Sequence, residues 1–154
     1  MKHRTVEEIR PVGMVVGEFD YRRAVRRTRL ERLAALLEEK SGVIKLLSGI
    51  EFMSRQERLA LRADNSPLAL AYADPVFRAQ GLKSDKLGDA IAFFELSQRE
   101  AHDLFCDCHY HSVGGITAQA VADRARSIAR RTSLRDVWSK LRNVFAVHRL
   151  AAGR

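Results

Sequence analysis

The sequence predicts an all-α protein, an irregular or orthogonal bundle of about six to eight helices, several of them short. Apolar residues recur at the i, i+3, i+4 and i+7 spacing of a helix, and no stretch alternates apolar and polar residues as a strand does. We expect an N-terminal arm over residues 1–18, which Pro11, Gly13 and Gly17 interrupt, and a single helical domain over residues 19–154.

Each predicted helix begins at a side chain that can accept a hydrogen bond from the first turn. Ser54 and Ser97 are each followed three residues later by glutamate, the pattern of a capping box. Ser66 and Asp74 each precede a proline, which suits the first helical position. The predicted starts, in chain order, are Asp20, Ser54, Ser66, Asp74, Asp85, Ser97, Thr117 and Ser133.

The apolar pattern sets the extent of these helices. The first should run to about Lys40, and the segment over residues 43–50 has the spacing of a second, short buried helical piece. Gly88 lies in the first turns of the helix from Asp85 and weakens that prediction. The last helix has a strong apolar face over residues 134–145, through which a homodimer could form.

The charge is positive and unevenly distributed. The chain carries 27 Lys and Arg against 19 Asp and Glu, a formal net charge of +8. Residues 1–35 have nine basic and five acidic side chains (+4), residues 36–105 have nine and eleven (−2), and residues 106–154 have nine and three (+6). Basic ends of this kind favour an acidic macromolecular partner, nucleic acid being the first candidate.

Two arginine-rich stretches could supply the anion-binding surface. On a helix, the arginines between residues 22 and 29 form a cationic face about two turns long, and a second basic stretch lies after residue 124. The candidate contact residues are Arg22, Arg23, Arg26, Arg27, Arg29, Arg130 and Arg131. The alternative is a solvated surface paired with glutamates.

Both cysteines and three of the five histidines lie between residues 102 and 111. If the helix from Ser97 continued, His102, Cys106 and His109 would share one face, and thiolate plus imidazole suits zinc or copper. His111, or a neighbouring aspartate, could complete the shell. The same helical phase assigns Cys108 to the core, and the favoured interpretation of the whole cluster is an ordinary helix end.

These observations favour a small binding or regulatory protein over an enzyme, without excluding an enzyme. Neither a phosphate-binding glycine loop nor an acid pair with suggestive spacing is present. The chain needs no cofactor to fold, zinc or another transition metal being the alternative. That second hypothesis is a metal-binding or thiol redox-sensing protein centred on Cys106, and a third is a structural homo-oligomeric module. With no membrane-length apolar run and no apolar leader, we expect a cytoplasmic protein.

Overall fold

The computed structural model describes the backbone of residues 6–110 and 114–131, and the side chains of these residues except 6–20 and 51. Within them the chain forms α-helices joined by short turns, without a sheet, which confirms the all-α prediction. The helices are α1 (Val6–Glu39), α2 (Arg55–Ala60), α3 (Pro67–Ala73), α4 (Pro75–Ala79), α5 (Leu87–Phe93), α6 (Gln98–Phe105) and α7 (Ala118–Arg130). Two 3-10 turns cover Ile50–Phe52 and Asp107–His109.

The predicted caps are present at five helix starts. Ser54 and Ser97 form complete capping boxes at α2 and α6. Ser66, Asp74 and Thr117 each accept a hydrogen bond from a first-turn amide of α3, α4 and α7, and a proline follows the first two of these caps. These boundaries follow from local chemistry, since a cap needs only residues within one turn.

The start of the first helix differs from the prediction. The irregular arm expected over residues 1–18 is helical from Val6 onward, and the backbone continues through Pro11, Gly13 and Gly17 into the segment predicted to begin at Asp20. Proline removes one hydrogen bond and each glycine weakens a helix, but propagation of an existing helix is cooperative, so these residues do not end it.

The core lies between α1 and α7 and under the shorter helices. The contacts of Glu38 with Gln119 and Arg126, and of Glu31 with Arg126, show that α1 and α7 run antiparallel. Three phenylalanines, Phe77, Phe93 and Phe94, pack edge to face beneath them with ring centroids 5.0–5.5 Å apart. The fully buried residues of the two long helices include Leu30, Leu33, Leu37, Val121, Ala122 and Ile128.

In the segment over residues 43–50, Ile44, Leu47 and Ile50 are buried as predicted, but Val43 is 57% exposed and the segment is not helical before Ile50. Its backbone forms hydrogen bonds with two distant segments. The Ile44 amide donates to the Ile116 carbonyl (2.8 Å), and the Leu47 amide donates to the Phe105 carbonyl (2.9 Å). Isolated bridges of Val43 with Thr117 and of Leu47 with Cys106 result. Pairing with distant segments therefore replaces the local helical bonds that the spacing suggested.

Two predictions lie outside the described residues: the helix over residues 134–145, with the homodimer it could form, and His111. Among the helices that are described, none combines the length and the apolar character needed to cross a membrane.

Candidate metal centre and basic surface

The chain changes direction at Cys106. Helix α6 ends at Phe105, and Leu47 holds the following residues: its amide donates to the Phe105 carbonyl, and its carbonyl accepts from the Asp107 amide (3.0 Å). Cys106 is thereby extended (φ −108°, ψ 140°), and its side chain is only 1% exposed. The continuing helix that would have placed Cys106 beside His102 and His109 does not form.

The burial of the two cysteines is therefore the opposite of that predicted. Cys106 is a core residue, whereas Cys108, which helical phase assigned to the core, is exposed on the 3-10 turn. Both are thiols. Ligand spacing alone could not have revealed this, because the exchange depends on the pairing of Cys106 with Leu47, 59 positions earlier in the chain.

His102, Cys108 and His109 converge. The 3-10 turn folds back over the last turn of α6, so that one potential ligand atom from each residue lies within 4.8 Å of the other two. Nδ1 of His102 is 2.7 Å from Nε2 of His109, and Nε2 of His102 is 3.8 Å from Sγ of Cys108. The two imidazoles meet nearly edge to face, at 82°. We call these three residues the donor cluster.

Neighbouring side chains fix the turn that carries the donor cluster. The Tyr110 hydroxyl donates to the Leu104 carbonyl (3.0 Å), and burial raises the pKa of this hydroxyl above its usual range. Arg124 of α7 donates to the His109 carbonyl (3.2 Å) and lies over the Tyr110 ring, 5.3 Å from its centroid. The turn is thus held against both α6 and α7.

Asp103 connects the donor cluster to the end of α7. One carboxylate oxygen lies 3.7 Å from Nε2 of His109, and the other lies 3.5 Å from a guanidinium nitrogen of Arg131. The Asp103 side chain is 13% exposed, and that of His109 is 39% exposed. Asp103 thus places a carboxylate beside the donor cluster and within reach of Arg131.

Two of the seven predicted anion-binding arginines face the body of the protein. Arg26 of α1 donates to Glu100 of α6 (2.6 Å), and both side chains are less than 20% exposed. Arg29 donates to the Phe93 carbonyl (2.5 Å), and its guanidinium carbon lies 4.0 Å from the centre of the Phe93 ring. These cations hold α1 against α5 and α6.

The remaining five are exposed and lie toward one end of the helix pair. Residues farther along α7 meet residues earlier in α1, as the contacts of Gln119 with Glu38 and of Arg126 with Glu31 show. The C-terminal end of α7 therefore runs alongside the arginine-rich part of α1. The exposed residues of this basic surface are Arg22, Arg23, Arg27, Arg130 and Arg131.

Fold and site together define a helical bundle that carries a small cluster of soft donor atoms at one helix end. No protein-family model, curated protein or solved structure matches this chain. The assignment of function therefore depends on the chemistry of the described residues.

Proposed function

We propose that this protein binds a transition-metal ion, zinc in the first place, at the donor cluster of His102, Cys108 and His109. The convergence of three donor atoms within 4.8 Å supports this proposal. Two imidazoles and a thiolate are a ligand set that zinc commonly takes, and copper is the nearest competitor. Among the described residues, these three side chains are close enough to share one ion.

A bound ion would require the three side chains to adjust their positions. Zinc bonds of about 2.0–2.1 Å to nitrogen and about 2.3 Å to sulfur put two tetrahedral nitrogens about 3.3 Å apart, and a nitrogen and a sulfur about 3.6 Å apart. Here Nδ1 of His102 is 2.7 Å from Nε2 of His109, whereas the 3.8 Å to Sγ of Cys108 is measured from the other ring nitrogen, Nε2. One ligand atom from each residue lies within 4.8 Å of the other two, so the third ligand would have to move closer. His102 would use one of its two ring nitrogens, and the imidazoles would separate by about 0.6 Å as the ion replaces the proton between them.

Three protein ligands leave a fourth position open. Asp103, with an oxygen 3.7 Å from Nε2 of His109, could fill it, or a water molecule could. Because Cys108 is exposed and the three ligands lie within eight residues of sequence, we expect an exchangeable ion rather than a buried structural one. A bound ion would tie the last turn of α6 to the 3-10 turn, which suits a regulatory role.

Elemental analysis and calorimetry test the proposal. Protein purified without an affinity tag should take up one Zn²⁺ per chain, and Mg²⁺, which prefers oxygen ligands, should not compete. His102→Gln and His109→Gln should each weaken zinc binding by at least about tenfold, since each removes a ligand. Binding should also weaken as pH falls, because the imidazoles and the thiol must lose their protons. A chain that takes up no zinc, copper or iron contradicts the proposal.

A second candidate function is binding of an acidic macromolecule, nucleic acid first, through the basic surface. The antiparallel packing of α1 and α7 favours it, since Arg130 is brought alongside the segment that carries Arg27. Arg27→Gln together with Arg130→Gln should make the plot of log binding constant against log salt concentration less steep. The change in slope should correspond to the loss of about two phosphate contacts. Binding that does not respond to salt, or no binding at all, argues against this function.

If the protein senses redox state through a thiol, Cys108 is the candidate residue rather than Cys106. Cys108 is the exposed thiol and lies beside an imidazole, whereas Cys106 is buried. Faster alkylation of Cys108 than of Cys106 in the metal-free protein would support it, and equal rates would count against it.

A further inference from the structure

A cleft of about 400 Å³ lies between α2, α5 and α6, and His102 is one of the residues that line it. Its volume falls within the range of about 300–1,000 Å³ that small-molecule sites occupy. The apolar part of its wall consists of Ile50, Leu59, Leu87, Ile91 and Ala101.

The polar part of the wall is cationic. Arg58 of α2, Arg99 and His102 of α6 line the cleft together with Gln98, and no carboxylate among the described side chains does. This is notable against the local background, because residues 36–105 carry more acidic than basic side chains. Within the described part of the chain, no carboxylate pairs with Arg58 or Arg99, whereas Arg26 and Arg32 each have one.

Gly88 shapes the wall. It lies on α5 against α2: a Cβ atom added there would be 3.0 Å from the Leu59 carbonyl oxygen and 3.2 Å from the Leu59 Cβ. Glycine therefore allows α2 and α5 to approach, although it costs helix stability. The close approach places Leu59 and Arg58 on one side of the cleft and α6 on the other.

We propose that this cleft binds a small organic anion, a carboxylate with an apolar tail of medium length. The tail would lie on the apolar wall, and the carboxylate would accept hydrogen bonds from Arg58 and Arg99, which can grip it in a bidentate manner. The size of the cleft suits a small molecule better than a peptide helix or a nucleic-acid strand. This site is independent of the proposed metal function, although His102 borders both.

Calorimetric titration with octanoate, in the presence of EDTA, tests the proposal on the full chain. We expect saturable binding, and no comparable binding of octylammonium, which has the same tail and the opposite charge. Arg58→Gln and Arg99→Gln should each weaken octanoate binding by about tenfold, as expected for loss of one charge-assisted hydrogen bond. Arg55→Gln is the matched control, because Arg55 is an exposed arginine of the same helix that does not line the cleft.

Filling the cleft provides a second test. Ile91→Phe should abolish octanoate binding while circular dichroism shows the helical fold intact, because Ile91 is only partly buried. Cys108→Ala should leave octanoate binding unchanged even where it removes zinc binding, which separates this proposal from the metal proposal. Absence of octanoate binding to the wild type, equal binding of octylammonium, or unchanged affinity in both arginine variants would overturn it.

Discussion

Replacing Glu100 with glutamine removes the negative charge that joins α6 to α1 but keeps the shape of the side chain. Glu100 has two partners: it closes the capping box of α6 by accepting from the Ser97 amide (2.9 Å), and it accepts from Arg26 (2.6 Å). Glutamine serves the capping box as well as glutamate does. The variant therefore isolates the contribution of the ion pair.

The burial of both partners sets the size of the effect. The Arg26 and Glu100 side chains are 18% and 19% exposed, and the buried Nε of Arg26 has no hydrogen-bond partner among the described residues. Exposed ion pairs contribute less than about 1 kcal/mol, and breaking a fully buried pair costs about 3–5 kcal/mol. Between these limits, we expect Glu100→Gln to lower the free energy of unfolding by about 2 kcal/mol.

Urea denaturation followed by circular dichroism measures this loss. Glu57→Gln is the matched control, since Glu57 closes the same kind of capping box on α2 without an arginine partner in the described part of the chain. It should leave the free energy of unfolding nearly unchanged. Equal losses in the two variants would refute the reasoning, because the capping box, and not the ion pair with Arg26, would then account for both.

The same pair predicts a pH dependence. Burial alone would raise the pKa of Glu100, but the hydrogen bonds from Ser97 and Arg26 outweigh it, so the pKa is lower in the folded chain than the usual 4.5. The contribution of Glu100 to stability is then complete above about pH 4.5 and is lost as pH falls through the folded-state pKa. The difference between wild type and Glu100→Gln should shrink over that interval.

Three further variants test other contacts. Asp74→Asn should destabilise the chain at neutral pH and progressively less below about pH 3.8, because a hydrogen bond from Arg32 lowers the pKa of Asp74; a loss that grew with acidity would contradict this. Gly88→Ala should lower the urea midpoint, although alanine has the better helix propensity, because the new Cβ would lie 3.0 Å from the Leu59 carbonyl oxygen. A higher midpoint would show that α2 shifts to accommodate the methyl group. Tyr110→Phe should cost about 1 kcal/mol in thermal denaturation through loss of a hydrogen bond to the α6 backbone, and an unchanged stability would show that this bond contributes nothing.

The sequence was sufficient where structure depends on neighbours within one turn. The caps at Ser54, Ser97 and Thr117 were predicted correctly because a hydroxyl and the amides it accepts from are three residues apart. The inner face of the first long helix was likewise predicted, and Leu30 and Leu33 are buried. These features need no knowledge of the rest of the chain.

Predictions failed where a distant segment decides the local backbone. Leu47 pairs with both neighbours of Cys106, so that α6 ends there, Cys106 is buried and Cys108 is exposed, the opposite of the prediction. In the same way, Arg26 belongs to an ion pair with Glu100, 74 positions away, rather than to the exposed basic surface. Helical phase does not contain this information, because both contacts join parts of the chain that only the fold brings together.

The most direct test of the account compares zinc binding by Cys108→Ala and Cys106→Ala. Cys108 is a member of the donor cluster, whereas Cys106 is buried beside it and directed into the core. We predict that Cys106→Ala binds one Zn²⁺ per chain with the affinity of the wild type, and that Cys108→Ala loses at least about tenfold in affinity. The reverse result, zinc binding that depends on Cys106 and survives the loss of Cys108, would contradict the account.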